Sequence, residues 1–319
     1  MNIKRIEFAV TYRCNSHCRH CQVGEDERRA ATSAIDRDLA VEIVRRVAQA
    51  YHPSSIMTFG GESLLYPDVT CAIHETALLC EIPNRQIITN AGTPRSEVLA
   101  YDLAQRLARS GVTDMSISVD TFHQEHIPLG IVERNVRAYL AAGITDLEWN
   151  PCWVVSQHDD NPHDQHTRAI LNALRHLPVR RSEGNILQAR GDATTWLSAD
   201  LPPKRSMPIG SCEDVPYAGR LDEVSSILIM PNGGVSICYE WIIGNSAKED
   251  ILSILESYDP CVLPKARAIL NGGMAALAEL ARSENVEPNP DGYYSICDMC
   301  IDLRRCMKTA KGQPPTMCD

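Results

Sequence analysis

The sequence predicts an α/β fold on a parallel sheet, followed by a small cysteine-rich α+β region. Two observations lead there. Strand-like apolar runs alternate with amphipathic helical stretches six times before Gly191, and a proline-rich connector at 201–208 then gives way to a hairpin pattern. A 44% hydrophobic fraction over 319 residues is enough to build the core that such a fold needs. The boundaries expected are 1–200 for the α/β domain and 201–319 for the cysteine-rich one.

In order, residues 6–12 alternate and are rich in β-branched side chains, so they read as the first strand. A charged segment at 23–32 reads as irregular. The next helix has Ser33 or Asp36 as its cap and Leu39, Ala40, Ile43, Val44 and Val47 on one face. A strand at 56–59 ends in Gly60-Gly61, with a helix at 68–79, a strand at 86–89 and a helix at 96–110 closed by Gly111. Then come a strand at 114–120 with polar residues on one face, a helix at 132–142, a strand within 144–155, a helix at 166–176 and a sixth strand at 185–188. Six such units form either an open doubly wound sheet or a partial barrel. Both architectures put ligands at the carboxyl ends of the strands. The residues there are Cys14 to Cys21, Gly60 to Ser63, Thr89-Asn90, Ser118 and Asp120, Asn150 to Trp153, and Arg190.

Composition excludes several classes. A net charge of −10 leaves no basic face for phosphates, and 5% aromatics leave few stacking platforms, so no nucleic-acid partner is expected. No run approaches the ~20 apolar residues of a membrane span. Residues 1–5 enter a charged strand with no signal-peptide core, so the protein is expected in the cytoplasm. Thirteen cysteines are then not a disulfide framework. Cys71, Cys80 and Cys152 are expected as small core residues.

Cys14, Cys18 and Cys21 are spaced C-x3-C-x2-C directly after the first strand. Structural zinc takes four protein ligands; three thiolates instead suit an iron–sulfur cluster with one iron left open. Gly60-Gly61 lets a ligand approach the backbone and leaves N–H groups for it, and Glu62 can accept from an ammonium. A plain turn with a surface glutamate is the alternative. The histidine- and aspartate-rich run at 156–166 reads as a solvated loop leading to an Asp/Asn-capped helix, with a second-metal or substrate-gating role as the alternative, and residues 121–126 stand where a substrate contact could form.

These two motifs, in this order, resemble the radical S-adenosylmethionine (SAM) superfamily. The resemblance implies a partial (β/α)6 barrel and a 4Fe–4S cluster on Cys14, Cys18 and Cys21, with SAM on the open iron. It further implies that Gly60, Gly61, Glu62 and Ser63 bind the SAM amino group, and that Ser118 and Asp120 contact its ribose and carboxylate. Asn90 resembles the family's third-strand T-N-G segment, with Ala91 in place of glycine. His20 stands where relatives carry an aromatic residue beside adenine and either does the same or points to solvent, and Arg134 is a partner for the SAM carboxylate or a helix-surface arginine. Ala189-Arg190-Gly191 occupies the place of a Gly-Arg-Ala with its order changed.

Beyond the connector, strands at 225–230 and 235–240 flank Pro231-Asn232-Gly233-Gly234, a hairpin signal, and helices are expected at 247–256 and 263–283. The tail reads C-x2-C-x5-C, a spacing for zinc or iron–sulfur. With Gly233-x4-Cys238 it resembles the SPASM/Twitch extensions of radical SAM enzymes. That implies one auxiliary 4Fe–4S cluster on Cys212, Cys238, Cys297 and Cys300; the rival set is Cys297, Cys300, Cys306 and Cys318. Cys261 fits neither.

The chemistry implied is one-electron cleavage of SAM and hydrogen abstraction, with the auxiliary cluster taking the electron left on the substrate. The leading expectation is oxidation or cross-linking of a ribosomally synthesised peptide. The alternatives are dehydrogenation of a small molecule such as a sugar or cyclitol alcohol, and a non-catalytic iron–sulfur carrier or sensor, which would not need Gly60-Gly61-Glu62. The expected partners are a reductant protein such as flavodoxin or ferredoxin and, because the N-terminal segment is short, a separate peptide-binding protein.

Overall fold

The computed structural model describes residues 1–30, 33–215, 218–238 and 241–310. The chain divides into two compact units: Lys4–Asp200 with Ile229–Asn232, and Leu201–Leu228 with Gly233–Asp319 and Met1–Ile3.

The first unit is built on six parallel strands: β1 (Arg5–Thr11), β2 (Ser55–Gly60), β3 (Asn84–Thr89), β4 (Asp114–Ser118), β5 (Asp146–Asn150) and β7 (Arg180–Arg181). They are neighbours in chain order with no reversal. A doubly wound sheet reverses at its switch point, whereas a barrel continues in one sense, so this is a partial (β/α)6 barrel. The helices between strands are α2 (Arg37–Tyr51), α3 (Pro67–Leu79), α4 (Glu97–Arg109), α5 (Leu129–Ala141) and α6 (Pro162–Ala173), and a short α7 (Asp192–Trp196) follows the last strand. Alternation along the strands sorts the two faces. Met115, Ile117, Leu147 and Trp149 join the core with α4 and α5, while Ser116 meets Glu148 at 2.5 Å and Arg5 meets Gln86 at 2.9 Å.

Four expectations change. Residues 25–30 of the charged segment form a short helix, α1 (Glu25–Ala30), which is tied down by Arg28. The run at 144–155 is two strands, β5 and β6 (Cys152–Trp153), because Pro151 between them has no N–H for the ladder. The sixth barrel strand is Arg180–Arg181; the expected one survives as β8 (Asn185–Ile186), paired with β6 in a separate two-stranded sheet. Helix α6 begins at Pro162 rather than 166, since Asn161 caps it by accepting from Asp164 N–H at 2.9 Å.

The boundary between the units falls within β9 (Ser226–Ile229), and the second unit holds β10 (Gly234–Cys238) and β11 (Trp241–Asn245), the last antiparallel to β10 and not anticipated from sequence. The expected strand end at 239–240 lies outside the described residues. Helix α8 (Ile251–Ser257) starts late because Asp250 caps it. Helix α9 (Pro264–Ser283) leaves helical geometry at Gly272 and Gly273 and packs on α10 (Ile296–Ala310) through Ile269, Met274, Leu277, Met299 and Leu303. No helix among the described residues is long and apolar enough to cross a membrane.

One buried histidine makes the barrel acid-sensitive. His74 of α3 is fully buried, 2.9 Å from Thr58 Oγ1, and burial pushes its pKa from 6.5 down to about 3. The unfolded chain takes up this proton below 6.5 and the folded one does not. Stability should therefore fall by about 1.4 kcal/mol per pH unit between those two values. Denaturant unfolding of wild type and His74→Asn across pH 7 to 4 checks this: the variant's slope should be shallower, and equal slopes refute the assignment.

Candidate functional site

At the carboxyl ends of β1 and β2 the chain closes on itself. Gly61 N–H donates to Thr11 O at 2.6 Å and Glu62 N–H to Arg13 O at 2.9 Å. A Cβ on Gly60 would collide with Thr11 O, and one on Gly61 with Arg13 O. The paired glycines therefore exist for strand-to-strand contact. The Gly61 N–H is thus taken by Thr11 O, which corrects the expectation that it stands open to a ligand.

Glu62 is 1% exposed and not a surface residue. Its Oε1 accepts from Leu64 N–H (3.0 Å) and Thr89 Oγ1 (2.9 Å), its Oε2 from Asn90 N–H (2.9 Å). Burial raises its pKa while these donors oppose the rise. Ser63 is buried in the following turn, with Oγ lacking a partner. Asn90 carries the connection on: its Nδ2 reaches Asn15 Oδ1 at 2.8 Å and Cys14 Sγ at 3.6 Å.

Each cysteine of the triplet has a polar neighbour. Ser16 Oγ lies 2.9 Å from Cys18 Sγ, and Cys21 N–H donates to Cys18 O at 3.0 Å. Arg28 hydrogen-bonds the Cys21 thiol and, 8% exposed, also the Val23 carbonyl and the Asp192 carboxylate. Asp192 N–H donates to Cys21 O at 2.9 Å, and the preceding Gly191 has φ 53° with no room for a side chain against Cys21 and Gln22. The segment after the sixth strand is thus a buttress for the cysteine loop. Neither Asp192 in this segment nor its partner Arg28 in α1 carried a motif; the sequence signal was a glycine-aspartate step at a strand-to-helix junction.

Asp120 is fully buried, and all its contacts are internal: Oδ1 accepts from Phe122 and His123 N–H, Oδ2 from Cys152 N–H (3.0 Å) and His123 Nδ1 (2.8 Å). Burial alone would raise its pKa; His123 and His20 outweigh that and hold the carboxyl well below its usual range. His20 does not point to solvent. It stacks on Phe122 at 4.8 Å, meets His123 edge-on at 4.7 Å, and burial lowers its pKa to about 4. Ser118 is half-buried at the end of β4. Arg134 donates to Pro94 O at 3.2 Å beside Asn135, which anchors Ala91. Cys152, expected as apolar core, instead sits beside Asp120, Asp164 and Cys18. The 156–166 run is a loop only up to Asn161 and belongs to α6 from Pro162; Asp164 in the first turn of that helix is fully buried and clamps the N–H groups of Val154, Val155 and Ser156.

Within the second unit, Cys212 lies electrostatically beside Cys300, Cys238 and Cys297. Met274 N–H, freed where α9 kinks, donates to Gly210 O and so ties down the turn bearing Cys212. Cys297 and Cys300 share a face of α10 at i, i+3, and Arg304, one turn on, hydrogen-bonds Cys300 and lies 4.1 Å from the Trp241 ring centre. Cys306 is exposed, its Sγ 3.7 Å from Asp302 Oδ1. Cys318 lies outside the described residues.

Residues 8–146 match the model of the Radical SAM superfamily. Over those residues the chain is similar to a radical SAM domain. It is similar to a GTP 3′,8-cyclase of Moorella thermoacetica, 27% identical over 165 residues, 50% of this chain and 49% of that protein. One from Clostridium botulinum is 23% identical over 184 residues, 56% of this chain and 54% of that one. The aligned part spans about half the length of these curated relatives. The solved structure of native anSMEcpe with bound AdoMet superposes with a TM-score of 0.53 at 11% identity, covering 97% of this chain and 97% of that one. At that identity the likeness concerns the fold, and it agrees with the radical SAM barrel.

Burial pushes the Cys14 thiol up to about 12 and raises Cys18 and Cys21 as well. Near neutral pH the metal-free loop carries protonated thiols, and thiolate ligation has to displace their protons. Anaerobic metal loading in weak buffer with a pH indicator should show proton release and an affinity that rises with pH; pH-independent loading contradicts it. The buried Arg28–Asp192 pair gives a second expectation. Asp192→Ala strands a buried guanidinium and should cost about 3–5 kcal/mol in denaturant unfolding. A loss under about 1 kcal/mol, the scale of an exposed pair, would mean that the pair does not brace the loop.

Proposed function

We propose that this chain reductively cleaves SAM and oxidises its substrate, with an auxiliary 4Fe–4S cluster on Cys212, Cys238, Cys297 and Cys300 in a SPASM/Twitch-like region. The observation that carries this reading is the gathering of two separate cysteine sets, one inside each unit, in a chain similar to a radical SAM domain over residues 8–146. The donor chemistry fits. Cys14, Cys18 and Cys21 each have a polar partner, Asn90, Ser16 and Arg28, and thiolate-bound clusters are tuned by such hydrogen bonds.

When bound, the first cluster and SAM supply the electron transfer that yields methionine and a hydrogen-abstracting 5′-deoxyadenosyl radical. The chain's share is positioning. Glu62 keeps acceptor capacity on Oε2, which has one protein donor, beside Asn90 and Asn15 at the mouth of the cysteine loop. Loss of a hydrogen atom leaves the substrate one electron short of a closed shell; giving up a further electron and a proton completes a two-electron oxidation. The second cysteine set would hold the group that takes that electron. The set with Cys306 is disfavoured because Cys306 lies about 180° around α10 from Cys297.

The substrate we propose is a ribosomally made peptide, in keeping with the SPASM/Twitch resemblance, with a flavodoxin- or ferredoxin-like reductant. The names of the curated relatives favour a second reading, a nucleotide or other small molecule. Reduced, reconstituted protein should release 5′-deoxyadenosine and Cys18→Ala should not; equal release sinks the enzyme reading. Cys300→Ala should lower bound iron by about half while SAM cleavage persists. A precursor peptide encoded beside the gene should lose about 2 Da, two hydrogens, under turnover; an unchanged peptide mass with SAM cleavage intact would favour the small-molecule reading.

A further inference from the structure

One group of side chains joins a ligand of the first cysteine set to two histidines that ligate no cluster. Cys18, His20 and His123 each offer a ligand atom, and these atoms lie within 4.8 Å of one another. His123 is oriented for the purpose. Its Nδ1 is bonded to Asp120 Oδ2 at 2.8 Å, leaving Nε2 as the nitrogen available to a metal. A carboxylate behind a ligating histidine fixes its tautomer and strengthens it as a donor. His20 contributes a second nitrogen in an already ordered ring, held between Phe122 and His123, and its Nδ1 is buried with no partner. An unsatisfied buried polar atom is costly, and a metal would satisfy it. Asp120 is itself held by the N–H groups of Phe122, His123 and Cys152, so the arrangement is rigid from β4 to β6.

We propose that the cluster-free chain binds one divalent metal of the zinc class through Cys18, His20 and His123. A thiolate and two imidazoles are a zinc donor set, and three protein ligands leave a fourth position for water or a neighbouring thiol. Binding displaces the Cys18 thiol proton and involves no electron transfer. Cys18 cannot serve this metal and the 4Fe–4S cluster together, so zinc holds the loop out of cluster assembly until it is withdrawn. Only this exclusion rests on the cluster reading of Cys14, Cys18 and Cys21; the zinc site stands on its own geometry.

The test uses the full chain, purified anaerobically without iron, loaded with Zn2+ and counted with a chromophoric chelator, and with Co2+ as a spectroscopic stand-in. The comparison includes His20→Ala/His123→Ala and Cys14→Ala/Cys21→Ala. The intact chain should hold one zinc more than the histidine variant, whatever the other cysteines bind. The Cys14/Cys21 variant should keep that zinc, and its Co2+ form should show absorption from a single thiolate there. Zinc preloading should slow iron–sulfide assembly at least tenfold in the intact chain and not in the histidine variant. A zinc lost with Cys14 and Cys21 but kept without the histidines overturns the proposal, as do equal loads in all three. His20→Asn alone, which keeps a planar polar group against Phe122, should weaken zinc at least tenfold; unchanged affinity there also overturns it. A chain that assembles no cluster under any condition refutes the cluster reading and leaves the zinc count to be judged by itself.

Discussion

Two backbone hydrogen bonds, from Gly61 to Thr11 and from Glu62 to Arg13, set the position of everything at the barrel's mouth. They extend the contact between β1 and β2 past the ends of both strands. The β1 extension is the segment that becomes the cysteine loop, and the β2 extension is the one that carries Glu62. No side chain fits at Gly60 or Gly61, so the two segments can be brought together only by glycine. From Glu62 the connection passes to Thr89 and Asn90 at the end of β3, and from Asn90 back to Asn15 and Cys14. Three strands are thereby coupled through one buried carboxylate.

The other side of the loop is held by different means. Cys18 and His20 face the β4 turn, where Asp120 gathers four donors and orients His123. Cys21 is held from behind by Arg28, Asp192 and the tight turn at Gly191. Charged groups buried this deeply persist only when paired and hydrogen-bonded. Here the paired charges lie against the thiols, where they can influence a bound metal.

Much of this was legible in the sequence because it depends on local pattern. The βα alternation, the C-x3-C-x2-C spacing and Gly60-Gly61-Glu62 are all short-range signals, and the first five barrel strands lie where periodicity puts them. The misreadings are non-local. Residues 25–30 lack apolar periodicity, although Glu, Arg and Ala favour a helix and Glu25 pairs with Arg29 one turn on; α1 is anchored where Arg28 is held by Asp192, far along the chain. The sixth strand was misplaced because Arg180–Arg181 has no apolar alternation; its pairing with Glu148 and Trp149 defines it instead. Cys152 read as core from its apolar neighbours in sequence, but the break at Pro151 brings it beside Asp120.

By itself the sequence determined the chemistry on offer: which thiols, which carboxylates, and the order of strands that brings them to one end of a sheet. Spacing along a chain is enough for that, since ligands within a loop are close whatever the rest of the molecule does. Only the tertiary structure decided how each group is used. It turned the Gly61 N–H onto Thr11, sank Glu62 and Asp120 below the surface, placed Cys212 in the electrostatic neighbourhood of Cys238, Cys297 and Cys300, and set His20 and His123 against Cys18. Those outcomes depend on contacts between residues tens to hundreds of positions apart, and on burial, which no local pattern encodes.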